Sequence, residues 1–434
     1  MGGMVVFSYS GWLKKEYRIG DMLVKLAEEV EEEVRPQQQD LETVSKINHA
    51  RVLRAFSEVG VSDFHFHGST GYGYGDLGRI ALEEVYSRVF GAEAALVRKS
   101  IVSGTHALAI CLFAVLRPGD ELLVLGEMYP TLRGVAGLEG AYSGSLREWG
   151  IEVRQVELNS DPEEVLRSNT RAVFLQRSCG YSRSGSLGIP VMAQLIAKFK
   201  KVNPELIFIV DNCYGEFVEM MEPTHVDADL VAGSLIKNPG GGIVPAGGYI
   251  VGKKELVEMA AHCLTAPGLG VQVGADPEGY RLLYQGLFLA PLAVSEALKT
   301  AVFASRLFQR LGFSVFPLYN APRTDIVQAI ELGTPQRLLA FCRGLQRASP
   351  VDSRVVPQPA FLPGYGGEVL MAAGTFVQGA SLELSADAPW EPPYTVFVQG
   401  GLSYFYGQIA LLVAAQELYN ARLLPSPQQD ISIG

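Results

Sequence analysis

No apolar run in this chain is long enough to cross a bilayer. The longest unbroken one, residues 107–116, stops far short of the roughly 20 residues that span the hydrocarbon core. A surplus of basic charge is also missing, since 36 Lys and Arg stand against 46 Asp and Glu, a net charge of −10. Nucleic acids and anionic lipids are bound by concentrated basic faces, so neither a nucleic acid nor a membrane is expected as a partner. Cysteines are few, five in 434 residues, and no two are spaced Cys-x-x-Cys. Cys111, Cys179, Cys213, Cys263 and Cys342 therefore read as reduced, structural thiols of a cytoplasmic protein. The segment Met1-Gly2-Gly3-Met4-Val5-Val6-Phe7 lacks the basic stretch and apolar stretch of a secretory signal, and Met4 offers a second start. There is no internal repeat and no low-complexity tract.

The length predicts two domains and a terminal segment. We place an N-terminal helical segment at 1–60, a large α/β domain at 61–290 and a smaller C-terminal α+β domain at 291–434. In 21–34, Met22, Leu23, Leu26, Ala27, Val30 and Val34 share one helical face, opposite Glu28, Glu29, Glu31, Glu32 and Glu33. The glutamates read as a solvated face. A second helix is expected over 41–56, and both would pack on the small domain or a partner subunit. Apolar strands are predicted at 94–97, 121–125, 152–156, 172–175, 206–210 and 247–251, with helices between them at 105–116 and 189–201. That alternation predicts a mostly parallel sheet covered on both faces. Pro291 is expected to open a long helix that ends near Leu311-Gly312.

Ligands of such sheets bind beyond the carboxyl ends of strands. The run Leu206-Ile207-Phe208-Ile209-Val210 ends there in Asp211. Twenty-six residues later, Lys237 stands alone in Gly233-Ser234-Leu235-Ile236-Lys237-Asn238-Pro239-Gly240-Gly241-Gly242, between an apolar strand and a glycine-rich turn. A lysine so placed suits a Schiff base to pyridoxal phosphate (PLP), with the carboxylate paired to the pyridinium nitrogen. Ser103-Gly104-Thr105-His106-Ala107 precedes an apolar helix and could form a phosphate cup at its N-terminus. Alone, this motif is more often a plain Ser N-cap; Lys237 and Asp211 reverse that balance. Tyr129, just past a strand, could stack on a pyridine ring and pass a proton. By itself it is an ordinary loop tyrosine, one of 18. His65-x-His67 lacks a third ligand and reads as a packed or capping pair, so no metal is expected. Gly71-Tyr72-Gly73-Tyr74-Gly75 lacks the strand–turn–helix setting and lysine of a nucleotide loop.

With these residues in place the chain resembles fold-type I PLP enzymes, the aspartate aminotransferase-like superfamily. Within it the cysteine/methionine-metabolism group, which includes cystathionine and methionine gamma-lyases, is the nearest, and in that group the aluminium-resistance branch. The segments that carry the resemblance are His67-Gly68-Ser69-Thr70-Gly71-Tyr72-Gly73-Tyr74, Val210-Asp211-Asn212-Cys213-Tyr214-Gly215-Glu216-Phe217, the Lys237 loop, and Met371-Ala372-Ala373-Gly374-Thr375-Phe376. The resemblance implies a seven-stranded type of sheet and PLP on Lys237, with Asp211 at the pyridinium, Tyr129 stacked on the ring and Ser103, Gly104, Thr105 and Ser234 at the phosphate. It also implies a homotetramer in which Tyr72 reaches a neighbouring subunit's phosphate. Tyr74 stands where the group has an arginine, and a phenol brings a hydrogen bond without charge. Ile236 replaces a hydroxyl residue, and Glu383 falls near the arginine that clamps a substrate carboxylate. Arg177, Arg183 and Arg323 are the candidates to replace that clamp. The implied reaction is Cα deprotonation with β- or γ-elimination from a sulfur-containing amino acid. Transamination, aldol cleavage and a regulatory PLP-binding role stay open, and no motif selects among them.

Overall fold

The computed structural model describes residues 8–139, 142–182, 185–362 and 364–425. Seven short strands form the larger sheet: β1 (Ala94–Arg98), β2 (Glu121–Leu125), β3 (Glu152–Val156), β4 (Thr170–Gln176), β5 (Ile207–Asp211), β6 (Leu230–Ser234) and β7 (Gly248–Gly252). Their order is β1-β7-β6-β5-β4-β2-β3. Strand β7 runs antiparallel to β1 and β6, and the other pairs are parallel. Strands β2, β5, β6 and β7 are buried at every position. Such continuous burial is what helices on both faces of a sheet impose, and why these strands read as unbroken apolar runs. The expected α/β architecture is present, and each expected strand agrees with the observed one to within about two residues.

The smaller sheet is wholly antiparallel. It holds β8 (Ser314–Phe316), β9 (Val327–Glu331), β10 (Ala360–Phe361), β11 (Glu368–Ala373), β12 (Ser385–Pro389) and β13 (Thr395–Gln399), ordered β10-β11-β12-β13-β9-β8. Leu13, Leu23, Val24, Ala27, Val30 and Val34 from the N-terminal helices share one core with Phe303, Leu307, Leu411 and Leu412. The first part of the N-terminal segment thus packs with the smaller sheet, while Val52 and Ala55 further along belong to the core of the larger one. Its glutamates are not all solvated, because Glu29 and Glu33 pair with Arg306 and Arg310.

Two expectations about proline need correction. The helices foreseen at 21–34 and 41–56 are one helix, Asp21–Val59, with Pro36 inside it. Pro36 is exposed, so its ring meets solvent, while Val30 and Val34 before it and Val52 and Ala55 after it hold the helix to the core. Likewise Pro291 does not open its helix, which spans Arg281–Arg310. Leu283, Tyr284, Leu287 and Ala290, all buried, extend that helix through residue 290 and link it to both sheets' cores. Among the described residues it is the one helix long and apolar enough to cross a membrane, and 72 % of its most apolar window is buried inside the protein.

Candidate active site

A cavity of about 170 Å³ opens beyond the carboxyl ends of β5 and β6. Parallel pairing sets Asp211, the last residue of β5, opposite Ala232 of β6, two residues before Ser234. Lys237 leaves β6 into the glycine turn, and its Nζ lies 4.0 Å from the Tyr214 ring centroid and 5.9 Å from that of Tyr129. Ser103, Gly104, Thr105, Tyr129, Asp211, Ser234 and Lys237 all line this one cavity. Tyr72 and Tyr74 do not; they are 71 % and 66 % exposed and stack on each other at 5.4 Å.

Local chemistry explains the cup. The helix Gly104–Val115 is apolar on every side and buried, so its N-terminus is fixed against the sheet. Ser103 accepts a hydrogen bond from the His106 N–H at 3.0 Å, which is the plain N-cap; its own hydroxyl proton remains free to donate. A Cβ on Gly104 would stand 3.0 Å from Cys213 Sγ and 3.4 Å from the Ser234 nitrogen, so a side chain there would crowd the helix start against β6. Thr105 and Thr131 share a hydroxyl hydrogen bond of 2.7 Å beside it. Small residues, hydroxyls and free N–H groups at a helix N-terminus suit a phosphate.

The charges suit the rest of PLP. Asp211 is buried, and burial pushes its carboxyl up while Lys237 and the Cys213 N–H, at 3.0 Å, pull it down. Burial alone would lower the Lys237 ammonium, but Cys213, Tyr214 and Asp211 beside it carry the net direction upward. Cys179 and Cys213 both have thiols pushed up, first by burial, which disfavours a reactive thiolate at either. Tyr214 holds φ +71, a left-handed conformation unusual for an aromatic residue, and its hydroxyl meets Ser381 Oγ at 3.0 Å. Gln176 lines the cavity with a side-chain oxygen that has no partner. Among the described residues no group of three or more His, Cys, Asp or Glu is placed to hold a metal ion. His65 sits on the 3-10 turn Asp63–Phe66 and accepts the Ser62 N–H at 3.0 Å, a cap.

Among the described residues no arginine lines the cavity. Arg177 is fully buried and bound to Asn212 Oδ1 (2.8 Å), Glu219 (2.8 Å) and Glu222 (3.2 Å). Arg323 is bound to Gln328 Oε1 at 2.7 Å, and burial pushes its guanidinium down to about 10. Arg183 lies outside the described residues. Glu383, where a clamp was sought, accepts the N–H groups of Phe376 and Val377 at 2.7 and 2.9 Å. It holds the segment that contains Phe376 and Val377 and is not among the residues that line the cavity. Sequence reasoning missed what stands behind Tyr129: Tyr181, Tyr365, Phe397 and the buried Asp387. Asp387 carried one faint signal, a lone acid between small apolar residues of a strand.

The architecture is that of fold-type I PLP enzymes. The PLP-dependent protein YhfS of Escherichia coli superposes with a TM-score of 0.61 at 16 % identity, over 88 % of this chain and 97 % of its own. The chain itself belongs to the methionine gamma-lyase family, which matches residues 23–419. A carbon-sulfur lyase involved in aluminium resistance from Clostridium novyi is 43 % identical with a TM-score of 0.90, covering 95 % of this chain and 100 % of that one. The uncharacterized protein YnbB of Bacillus subtilis is 46 % identical over 93 % of this chain and 98 % of its own. The L-methionine gamma-lyase of Treponema denticola is 27 % identical over 44 % of this chain and 45 % of its own.

Proposed function

We propose that this protein is a cytoplasmic, homotetrameric PLP enzyme that eliminates a sulfur-bearing group from the β- or γ-carbon of an amino-acid substrate. The observation that carries the reading is a lone lysine, Lys237, half-buried beside Tyr214 and Tyr129 in a cavity that ends in Asp211. Bound there, PLP supplies an electron sink for the pair left when a bond to Cα breaks. Lys237 anchors the cofactor, and its amine, when neutral, accepts the Cα proton. Asp211 keeps the pyridine nitrogen protonated. Ser103, Gly104, Thr105 and Ser234 hold the phosphate, joined by Tyr72 and Tyr74 from across a subunit interface. Tyr129 covers the ring and donates a proton to the departing atom. Elimination over transamination is supported by the Clostridium novyi and Treponema denticola relatives.

A second reading, a PLP-binding protein with weak catalysis and a regulatory role, is favoured by one observation. Both described candidate arginines are engaged elsewhere, so neither Arg177 nor Arg323 is free to clamp a substrate carboxylate. The deciding experiment incubates the PLP-loaded protein with cysteine, cystathionine and methionine and follows keto acid, ammonia and the visible absorbance. Release of keto acid from at least one is expected. An absorbance that no amino acid perturbs, with no keto acid, would reject the lyase and leave the binding role.

A further inference from the structure

Asp211 ends β5 and Lys237 follows β6, yet the residue after each is a fully buried asparagine that grips one short segment. Asn212 Nδ2 donates to Glu222 Oε2 at 3.0 Å, and Asn238 Nδ2 donates to the Glu216 carbonyl at 3.0 Å. Residues 216–222 therefore hold both halves of the site. Arg177, just past β4, closes the arrangement. Its guanidinium donates to Asn212 Oδ1, Glu219 and Glu222, and its backbone N–H meets the Asp211 carbonyl at 3.0 Å. From the far side, Asn48 of the helix Asp21–Val59 donates to the Phe217 and Glu219 carbonyls at 2.8 and 3.2 Å. Arg51 of the same helix donates to the Met220 carbonyl at 2.7 Å.

We propose that segment 216–222, gripped by Asn212, Asn238 and Arg177, is the positioning device that sets Asp211 and Lys237 against each other. The inference rests on the proposed roles of that aspartate and lysine. Reacting groups work only within about half an ångström of their productive geometry, so two groups from separate elements need a common reference. Here the reference is polar throughout. Arg177, Asn212, Glu216, Glu222 and Asn238 are all fully buried. A buried ion pair such as Arg177–Glu222 adds little net stability over an apolar pair of the same volume, whereas its hydrogen bonds are directional. Two glycines keep room for these side chains. A Cβ on Gly215 would overlap Arg177 Cδ, and one on Gly233 would stand 2.6 Å from Glu216 Oε1. The amide of Asn212 has one orientation, because its oxygen faces the Arg177 donor and its nitrogen the Glu222 carboxylate. It thereby fixes the chain on the carboxyl side of Asp211, as Asn238 does for Lys237.

Arg177, Asn212 and Asn238 act through Asp211 and Lys237, so the test reads those two. Arg177→Lys keeps the buried charge and loses the planar fork, while Asn238→Ala loses the grip on the lysine side. In the PLP-loaded protein each is expected to weaken PLP binding about tenfold and to move the pH midpoint of the visible band. Because both act through one segment, the double variant is expected to fall well short of the roughly hundredfold loss that independent effects would give. If Arg177→Lys does not fold, Asn212→Ser takes its place in the cycle. Variants that lower only the urea midpoint, with affinity and band unmoved, or whose effects multiply in full, would overturn the device. The same cycle is run without PLP by mapping the rate at which Lys237 is acetylated in the cofactor-free chain. Both single variants are expected to change that rate without multiplying, and unchanged rates would overturn the device. Absence of a visible band from the unmodified protein overturns the proposed cofactor, while the acetylation rates still decide the positioning.

Discussion

Glu216 is a carboxyl with nothing charged bound to it. It is fully buried, takes a 2.8 Å hydrogen bond from the Tyr249 hydroxyl on one oxygen, and has no partner on the other. Burial, against the pull of its own backbone and of Tyr249, pushes it up to about 8. The folded chain therefore holds a proton that the unfolded chain has released, between the ordinary carboxylate range and about pH 8. Stability from this group is full below about pH 4.5 and falls as pH rises to about 8, by an amount on the order of a few kcal/mol. Glu216→Gln should keep the shape, remove that slope in urea titrations run across the window, and be the more stable protein above it. A slope that survives the substitution would show that Glu216 is not its source. Lys237 and Asp211 were legible because an isolated charge at the end of an apolar run has no structural excuse. Tyr181 and Tyr365 were not legible, because what matters about them is a cluster of hydroxyls with Tyr129, assembled from three distant segments.

At the scale of elements, β2 and β5 were readable for the reason that makes them stable: total burial leaves an uninterrupted apolar run in the sequence. The helices that contain Pro36 and Pro291 were misread, because a proline's lost hydrogen bond is visible in the sequence and its compensating burial is not. The element that governs the site is the turn after Lys237. A Cβ on Gly240 would overlap the Leu235 carbonyl and reach 3.0 Å from Val244 Cβ, so the turn closes only over glycine. Gly240→Ala is expected to open it, destabilise the fold by about 1–3 kcal/mol and move Lys237. Chemical denaturation and PLP titration would read both effects, and unchanged values in the two would show that the turn does not set the lysine.

For the whole molecule, the placement of Tyr72 and Tyr74 is informative. Their loop is not loose, since Arg79 donates to the carbonyl oxygens of Gly73 and Gly274, both at 2.9 Å. Two stacked aromatic rings on an anchored, exposed loop suit an interface more than a free surface. Light scattering is expected to give a tetramer. Tyr72→Ala should weaken PLP binding about 10–100-fold, the worth of one hydrogen bond to a charged group, with the fold intact. A monomer that binds PLP as tightly as any assembly would contradict the shared site.

One bond, from Lys237 to PLP, decides the chemistry of the site. Borohydride reduction of the PLP-loaded protein, followed by peptide mass mapping, fixes the cofactor to whichever lysine holds it. The adduct is expected on the peptide that contains Lys237 and should be lost in Lys237→Ala. An adduct on another lysine, or none after saturation with PLP, would contradict the central claim.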